Sequence, residues 1–254
     1  MTTIAFTGKG GVGKTTIAAL ALQWLIAHGR TPVLAIDADS NANLHELLGI
    51  TFPATVGGIR EETRNVVKGD PALSKQEYLS LRLQKALVEQ TGFDFLVMGR
   101  PEGPGCYCYA NNALRDSIAN LSSSYPYLVI DCEAGLEHIS RRTLLSIDWL
   151  ITVSDQSLRG LHTAVRIDKL LEEMKTRVAH RVLLINRASR SRALVTPEQS
   201  AALVDSDFEW VMALPEDPAV SAMDAQGGTI HAIPEGSYIR KAMDGLMERI
   251  INES

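Results

Sequence analysis

Gly8-Lys9-Gly10-Gly11-Val12-Gly13-Lys14-Thr15 fits the pattern G-x-x-x-x-G-K-[ST], and its setting decides the fold. In front of it, Thr3-Ile4-Ala5-Phe6-Thr7 reads as a buried strand. Behind it, Thr15 to His28 carries Ile17, Leu20, Ala21, Trp24 and Leu25 at helical spacing, with Gly29 as a natural stop. Glycines let such a turn approach an anion without Cβ clashes. Its exposed N–H groups and the helix N-terminus then surround phosphates. The pattern assigns Gly10, Gly11, Val12, Gly13, Lys14, Thr15 and Thr16 to nucleotide binding, with Lys14 on the β- and γ-phosphates and Thr15 on Mg2+.

Outward from this loop, short apolar runs recur at Val33–Ile36, Phe93–Val97, Tyr127–Ile130, Trp149–Val153, Arg181–Ile185 and Phe208–Ala213. Helical patterns lie between them at Ser74–Gln90, Asn111–Leu121 and Ser157–Met174. Apolar strands alternating with helices predict an α/β protein: one mostly parallel, twisted sheet with helices on both faces, in a single domain spanning residues 1–254. Such sheets place ligands beyond the carboxyl ends of their strands. Polar motifs begin there at Gly8, Asp37, Gly99, Asp131 and Asn186, so five strand ends are expected to converge on one edge. The stretch Pro53–Pro71 is the least regular and reads as a surface excursion.

Composition bounds the function. The 254 residues are 45% hydrophobic and 22% charged, an ordinary globular balance, and the net charge is −5. An acidic chain of pI about 5.7 argues against a dedicated nucleic-acid binder. No run of 18 apolar residues is present, and no secretory leader precedes the first strand, so a cytoplasmic protein without a membrane partner is expected. Three cysteines do not make a closed disulfide framework; in a reducing compartment they are free thiols, metal ligands or redox groups.

Lys9 separates this loop from the ordinary version. The run from Lys9 to Thr16 resembles the deviant phosphate loop of the SIMIBI-class ATPases, which include MinD/ParA proteins, the nitrogenase iron protein and several metallocentre-maturation ATPases. The resemblance implies a nucleotide-sandwich homodimer in which Lys9 reaches the partner's ATP, offsetting charge that develops during phosphoryl transfer. Ile36-Asp37-Ala38-Asp39-Ser40-Asn41 is similar to the family's first switch. That likeness makes Asp39 the residue that orients the attacking water and puts Asp37 near the phosphates and metal shell. Leu128-Val129-Ile130-Asp131 is an apolar strand ending in an acid, so Asp131 is expected to hold Mg2+ through water. Glu133-Ala134-Gly135-Leu136-Glu137-His138 resembles the second switch, with His138 either a hydrogen-bonding switch residue or a metal ligand. On the base side, the family reads adenine with an asparagine at the position of Asn186, and Leu214-Pro215-Glu216-Asp217-Pro218 resembles its second base loop. Arg187, Ala188 and Ser189 replace the guanine-reading Asn-Lys-x-Asp, which favours ATP.

One segment stands outside this nucleotide machinery: Gly103-Pro104-Gly105-Cys106-Tyr107-Cys108-Tyr109. Residues two apart in an extended stretch face the same side, so Cys106 and Cys108 can offer two sulfurs to one ion such as Zn2+, Cu(I), iron or Ni2+. A two-fold dimer would supply four. Two inert core cysteines are the bland alternative, though glycine and proline on the N-terminal side argue against a core strand. With Asp131-Cys132-Glu133-Ala134-Gly135-Leu136-Glu137-His138, this loop resembles the CooC-type nickel ATPases, which assist nickel insertion into carbon monoxide dehydrogenase. The resemblance implies Ni2+ (or Zn2+) between Cys106 and Cys108 of both subunits. A carbon monoxide dehydrogenase, or a related enzyme such as acetyl-CoA synthase, is the implied client. Cys132 reads as a structural thiol, and Arg187, Arg190 and Arg192 as a solvated loop. Two alternatives stand beside this. An iron–sulfur redox ATPase like the nitrogenase iron protein would need a second cysteine further along the switch. A MinD/ParA-type positioning ATPase would use Ile239, Met243, Leu246, Met247 and Ile250 as a membrane face, where core packing is the commoner role.

Overall fold

Apolar runs short enough for strands, and alternating in which face they bury, assemble into one eight-stranded sheet in a computed structural model of the chain. The structure describes residues 1–66, 75–99, 116–133, 146–174, 177–189 and 196–253. The strands are β1 (Thr2–Gly8), β2 (Val33–Ala38), β3 (Val88–Gln90), β4 (Phe93–Val97), β5 (Tyr127–Cys132), β6 (Ser146–Ser154), β7 (Arg177–Ala188) and β8 (Trp210–Pro215). Their spatial order is β3-β4-β2-β5-β1-β6-β7-β8. All neighbours are parallel except β3, which runs antiparallel to β4. The mostly parallel sheet is therefore as expected. The carboxyl ends of β1, β2, β5 and β7 share one edge, which places Gly8, Asp37, Asp131 and Asn186 around it.

The helices are α1 (Lys14–Ala27), α2 (Leu44–Leu48), α3 (Val56–Val66), α4 (Lys75–Ala86), α5 (Leu158–Met174), α6 (Pro197–Ala202), α7 (Pro218–Ala225) and α8 (Tyr238–Asn252), with a further helical stretch at 116–122. Both faces of the sheet are covered. Ile4 and Phe6 of β1 pack on one side with α1 and α8, while Ala5 faces the other, where α3, α4 and α5 lie. This alternation is what a sheet buried on both faces requires.

Three expectations are corrected. The helix expected over Ser74–Gln90 stops at Ala86, and Val88–Gln90 turns back as β3. The excursion expected over Pro53–Pro71 contains α3, whose Val56 and Ile59 are buried; residues 67–71 lie outside the described set. Helix α1 is not striped. Ala18, Ala19 and Leu22 are buried along with Ile17, Leu20, Ala21 and Leu25, because α8 covers the face that the sheet does not. The indole N–H of Trp24 donates to Asp244 of α8 at 3.0 Å and ties the two helices together. The apolar residues of α8, Ile239, Met243, Leu246, Met247 and Ile250, are all buried in this contact. They form core, so no membrane face is left on them. No helix among the described residues is long and apolar enough to cross a membrane.

Candidate functional site

The phosphate loop leaves β1 at Gly8, whose φ of +143° suits glycine alone; a Cβ there would lie 2.1 Å from the carbonyl oxygen of Val153 on β6. At the other end Gly13 has φ +95°, and a Cβ would meet Asn186 Nδ2 at 2.5 Å. Between them, space stands open in front of Gly10 and Gly11. That is the room an anion needs, at the N-terminus of α1. Lys14 is buried on the first turn of α1, and its ammonium donates to the carbonyl of Lys9 at 3.2 Å. Lys9 itself is exposed.

The loop is clamped from β7. Asn186 Nδ2 donates to the carbonyl of Val12 at 2.8 Å. Its Oδ1 accepts from the backbone N–H of Arg187 at 2.9 Å. Arg187 sits at φ +53° where β7 departs from regular register with β8, and its guanidinium donates to the carbonyl of Gly11 at 3.3 Å. The family resemblance implies Asn186 as a base reader but does not reveal that its amide already braces the loop.

Two buried carboxylates lie under the loop. Asp37 ends β2 within hydrogen-bond reach of two amides: Oδ1 accepts from Asp39 at 3.1 Å and Oδ2 from Leu44 at 2.9 Å. Burial nevertheless pushes its pKa up to about 6. Asp131, on the neighbouring β5 and in register with Asp37, is fully buried; the Thr15 hydroxyl lies close enough to favour its charged form, but neither oxygen has a hydrogen bond of ordinary geometry. Burial pushes its pKa up to about 7, with Asp37 adding to the rise, while nearby Thr15 and Lys14 oppose it. Buried polar atoms are normally paired, so an orphaned carboxylate marks a place for a cation. Thr15, Asp131 and Asp37 form an all-oxygen set of the kind Mg2+ takes, one that leaves further positions to phosphate and water.

Asp39 follows in the turn after β2 and adds to the negative charge felt by both carboxylates. Its Oδ1 accepts from the Asn41 N–H at 2.8 Å. Beside it, Ser40 Oγ donates to Glu133 Oε1 at 2.8 Å, joining the loop after β2 to the loop after β5. A cleft of about 420 Å³ opens over these groups, lined among others by Gly10, Gly11, Lys14, Thr15, Asp39 and Glu133. A second cavity of about 260 Å³ adjoins it, with Thr16, Leu20, Asn186, Arg187, Pro215 and Val220 in its wall. Gly13, Thr16, Arg187 and Asp224 belong to both walls, so the two form one elongated, bent site. Asn186 and Pro215 thus come together on one side of Gly13, and Lys14, Thr15 and Asp39 on the other. Sequence reasoning missed Asp224, an exposed acid on α7 with no local pattern to single it out. It also missed the Ser40–Glu133 contact.

Cys132 is buried among the apolar residues behind the sheet, and burial holds its thiol well above the usual range, as befits a structural thiol. Cys106, Cys108, Gly135, Glu137, His138, Arg190 and Arg192 lie outside the described residues.

Comparison with known proteins adds four findings. A family model described as an AAA domain matches residues 1–184. The uncharacterized ATP-binding protein MJ0685 of Methanocaldococcus jannaschii is 40% identical over 258 residues, covering 98% of each chain. The carbon monoxide dehydrogenase accessory protein CooC of Rhodospirillum rubrum is 28% identical over 267 residues, covering 97% of each. Among solved structures, a ParA family ATPase from Chlorobium tepidum TLS superposes with a TM-score of 0.72 at 21% identity, over 100% of this chain and 98% of that one. That last likeness is one of fold.

Proposed function

The chain belongs to the AAA-domain family, with the fold of ParA/MinD-like P-loop ATPases, and from that premise we propose that it is a nickel metallochaperone ATPase. It acts as a homodimer of single-domain subunits, and it assists nickel insertion into carbon monoxide dehydrogenase or a related nickel enzyme. The observation that carries this reading is the likeness, over 97% of the chain, to a protein named as a carbon monoxide dehydrogenase accessory protein. The Cys106-Tyr107-Cys108 segment supports it by supplying sulfur ligands suited to nickel or zinc as cargo.

In this reading ATP lies along the bent site. The backbone amides from Gly10 to Gly13 hold its phosphates with Lys14, Thr15 and Thr16, while Asn186 and Pro215 flank the base. Lys14 gives up the Lys9 carbonyl for the β- and γ-phosphates. Thr15, Asp131 and Asp37 hold Mg2+, which when bound neutralises phosphate charge and draws electron density from the bond to be broken. Asp39 orients the water that attacks the γ-phosphorus. Lys9, exposed at the mouth of the loop, reaches the nucleotide of the second subunit. ATP binding and hydrolysis then close and open the dimer, and with it the four-sulfur seam that Cys106 and Cys108 of two subunits would make.

The test is metal binding together with mass. Wild-type protein is expected to take up one Ni2+ or Zn2+ per dimer and to change its pairing with ATP. A Cys106→Ser/Cys108→Ser variant should lose the ion while retaining nucleotide. Equal stoichiometry and affinity in the variant would overturn the metallochaperone reading. A brown, redox-active dimer from anaerobic purification would instead establish the iron–sulfur alternative.

A further inference from the structure

We infer that Ser40 and Glu133 are a positioning pair for ATP hydrolysis: their hydrogen bond fastens the loop that carries Asp39 to the loop that follows Asp131. The inference rests on the reading of Asp39 as the water-orienting carboxylate, and it names what holds that carboxylate in place.

Asp39 stands in a short turn after β2. Three backbone amides stabilise this turn from within: Asp39 and Leu44 donate to Asp37, and Asn41 donates to Asp39 itself. The Ala42 N–H closes the turn on the Asp39 carbonyl at 3.0 Å. All four bonds are local, spanning at most seven residues; those to Asp37 seat the turn on β2, but none of them reaches the loop that follows β5. Ser40 Oγ to Glu133 Oε1, at 2.8 Å, crosses 93 residues of sequence to the next strand end. It joins neutral hydroxyl to carboxylate, the stronger kind of hydrogen bond. Glu133 lines the phosphate cleft together with Asp39, the residue next to Ser40 in the chain, so the bond lies at the wall of the cleft that holds the proposed water-orienting carboxylate.

A carboxylate near a phosphate is repelled by it and keeps its place only where donors hold it. Ser40 gives Glu133 one such donor and draws it toward the Asp39 turn. Glu133 is the first residue of the segment that resembles the second switch. The bond therefore ties the position of Asp39 to the starting point of that segment. Precise placement of a water-orienting group is worth large factors in rate and little in ground-state binding, so the pair should show itself in kcat rather than KM.

The experiment uses the full chain and six variants. Ser40→Ala removes the donor alone. It should lower kcat about tenfold at saturating Mg-ATP and leave Mg-ADP affinity within about twofold. Glu133→Ala should fall as far, and the double variant no further than either single change. Ser40→Thr restores the hydroxyl, and Glu133→Gln restores an accepting oxygen; both should return most of the rate. Amide exchange of residues 39–44 gives a readout without turnover, and should quicken in Ser40→Ala both with and without Mg-ADP. A wild-type kcat and unchanged exchange in Ser40→Ala would overturn the pair. So would a double variant that falls by the product of the singles, or a Glu133→Gln variant as slow as Glu133→Ala. Asp39→Ala, run alongside, separates the two readings. If it hydrolyses ATP normally, the role of Asp39 fails; if it is slow while Ser40→Ala is not, only the pair fails.

Discussion

The two halves of the bent cleft differ in how finished they are. Around Asn186, both polar atoms of the side-chain amide are engaged, with the Val12 carbonyl and the Arg187 N–H. On the phosphate side, Lys14 rests on a backbone carbonyl and Asp131 is buried without a hydrogen bond of ordinary geometry. The lesson is that the protein spends its stability unevenly. Polar groups are paired around Asn186 and left unpaired at the Asp131 carboxylate, and unpaired buried groups are a common place for strain to be stored.

The largest effect that would sharpen this contrast belongs to Asp39. Asp39→Ala should slow single-turnover hydrolysis by about 100-fold or more while leaving Mg-ATP affinity within a few-fold, as measured by rapid quench and titration calorimetry. Lys14→Ala should weaken nucleotide binding by about 10- to 100-fold, because it removes a buried cation from the phosphates. Normal binding in that variant would break the division between the halves.

Asp131 gives a stability counterpart with a definite sign. Its pKa is raised from 3.8 to about 7, so the folded protein holds this proton more tightly than the unfolded chain does. The stabilisation is complete below the unfolded value and is lost as pH rises through 7; Asp37, raised to about 6, acts in the same direction. The nucleotide-free protein should therefore melt at a higher temperature near about pH 5 than near about pH 8, and Mg-nucleotide should narrow the gap. Asp131→Asn should stabilise the nucleotide-free form near about pH 8, by roughly 1–3 kcal/mol in denaturant titration, and remove the magnesium dependence of nucleotide binding. A destabilised Asp131→Asn protein would mean that the carboxylate is not the strained group.

The smallest effect is expected on the finished side. Asn186→Ala loses two hydrogen bonds inside the protein and one wall of the base cavity. It should weaken ATP binding by about 1–2 kcal/mol and lower the preference for ATP over GTP in competition binding, with little change in kcat once saturated.

Much of this architecture is legible in the sequence because parallel strands buried on both faces read as plain apolar runs, and Phe93–Val97 is recovered to the residue. The short edge strand β3 is not, since Val88-Glu89-Gln90 has one apolar side chain and continues the helical pattern before it. Helix α3 hides behind Gly57 and Gly58, which read as loop although Val56 and Ile59 drive the packing. In α1 the stripe of large residues is visible, whereas the burial of Ala18 and Ala19 depends on α8, which lies more than 200 positions away. Within the site, the glycine pattern names the phosphate loop and the acids named from sequence do gather at one edge. What the sequence withholds is satisfaction: that both Asp37 oxygens are paired, that those of Asp131 are not, and that Ser40 meets Glu133. These follow only from which strands become neighbours.

Strand β3 has a last consequence. The sheet ends on this flank in three residues that run against their neighbour, with Glu89 and Gln90 exposed. So short and hydrophilic a border makes a poor template for another chain's backbone. Sheet-to-sheet fusion and fibre growth are discouraged along that side.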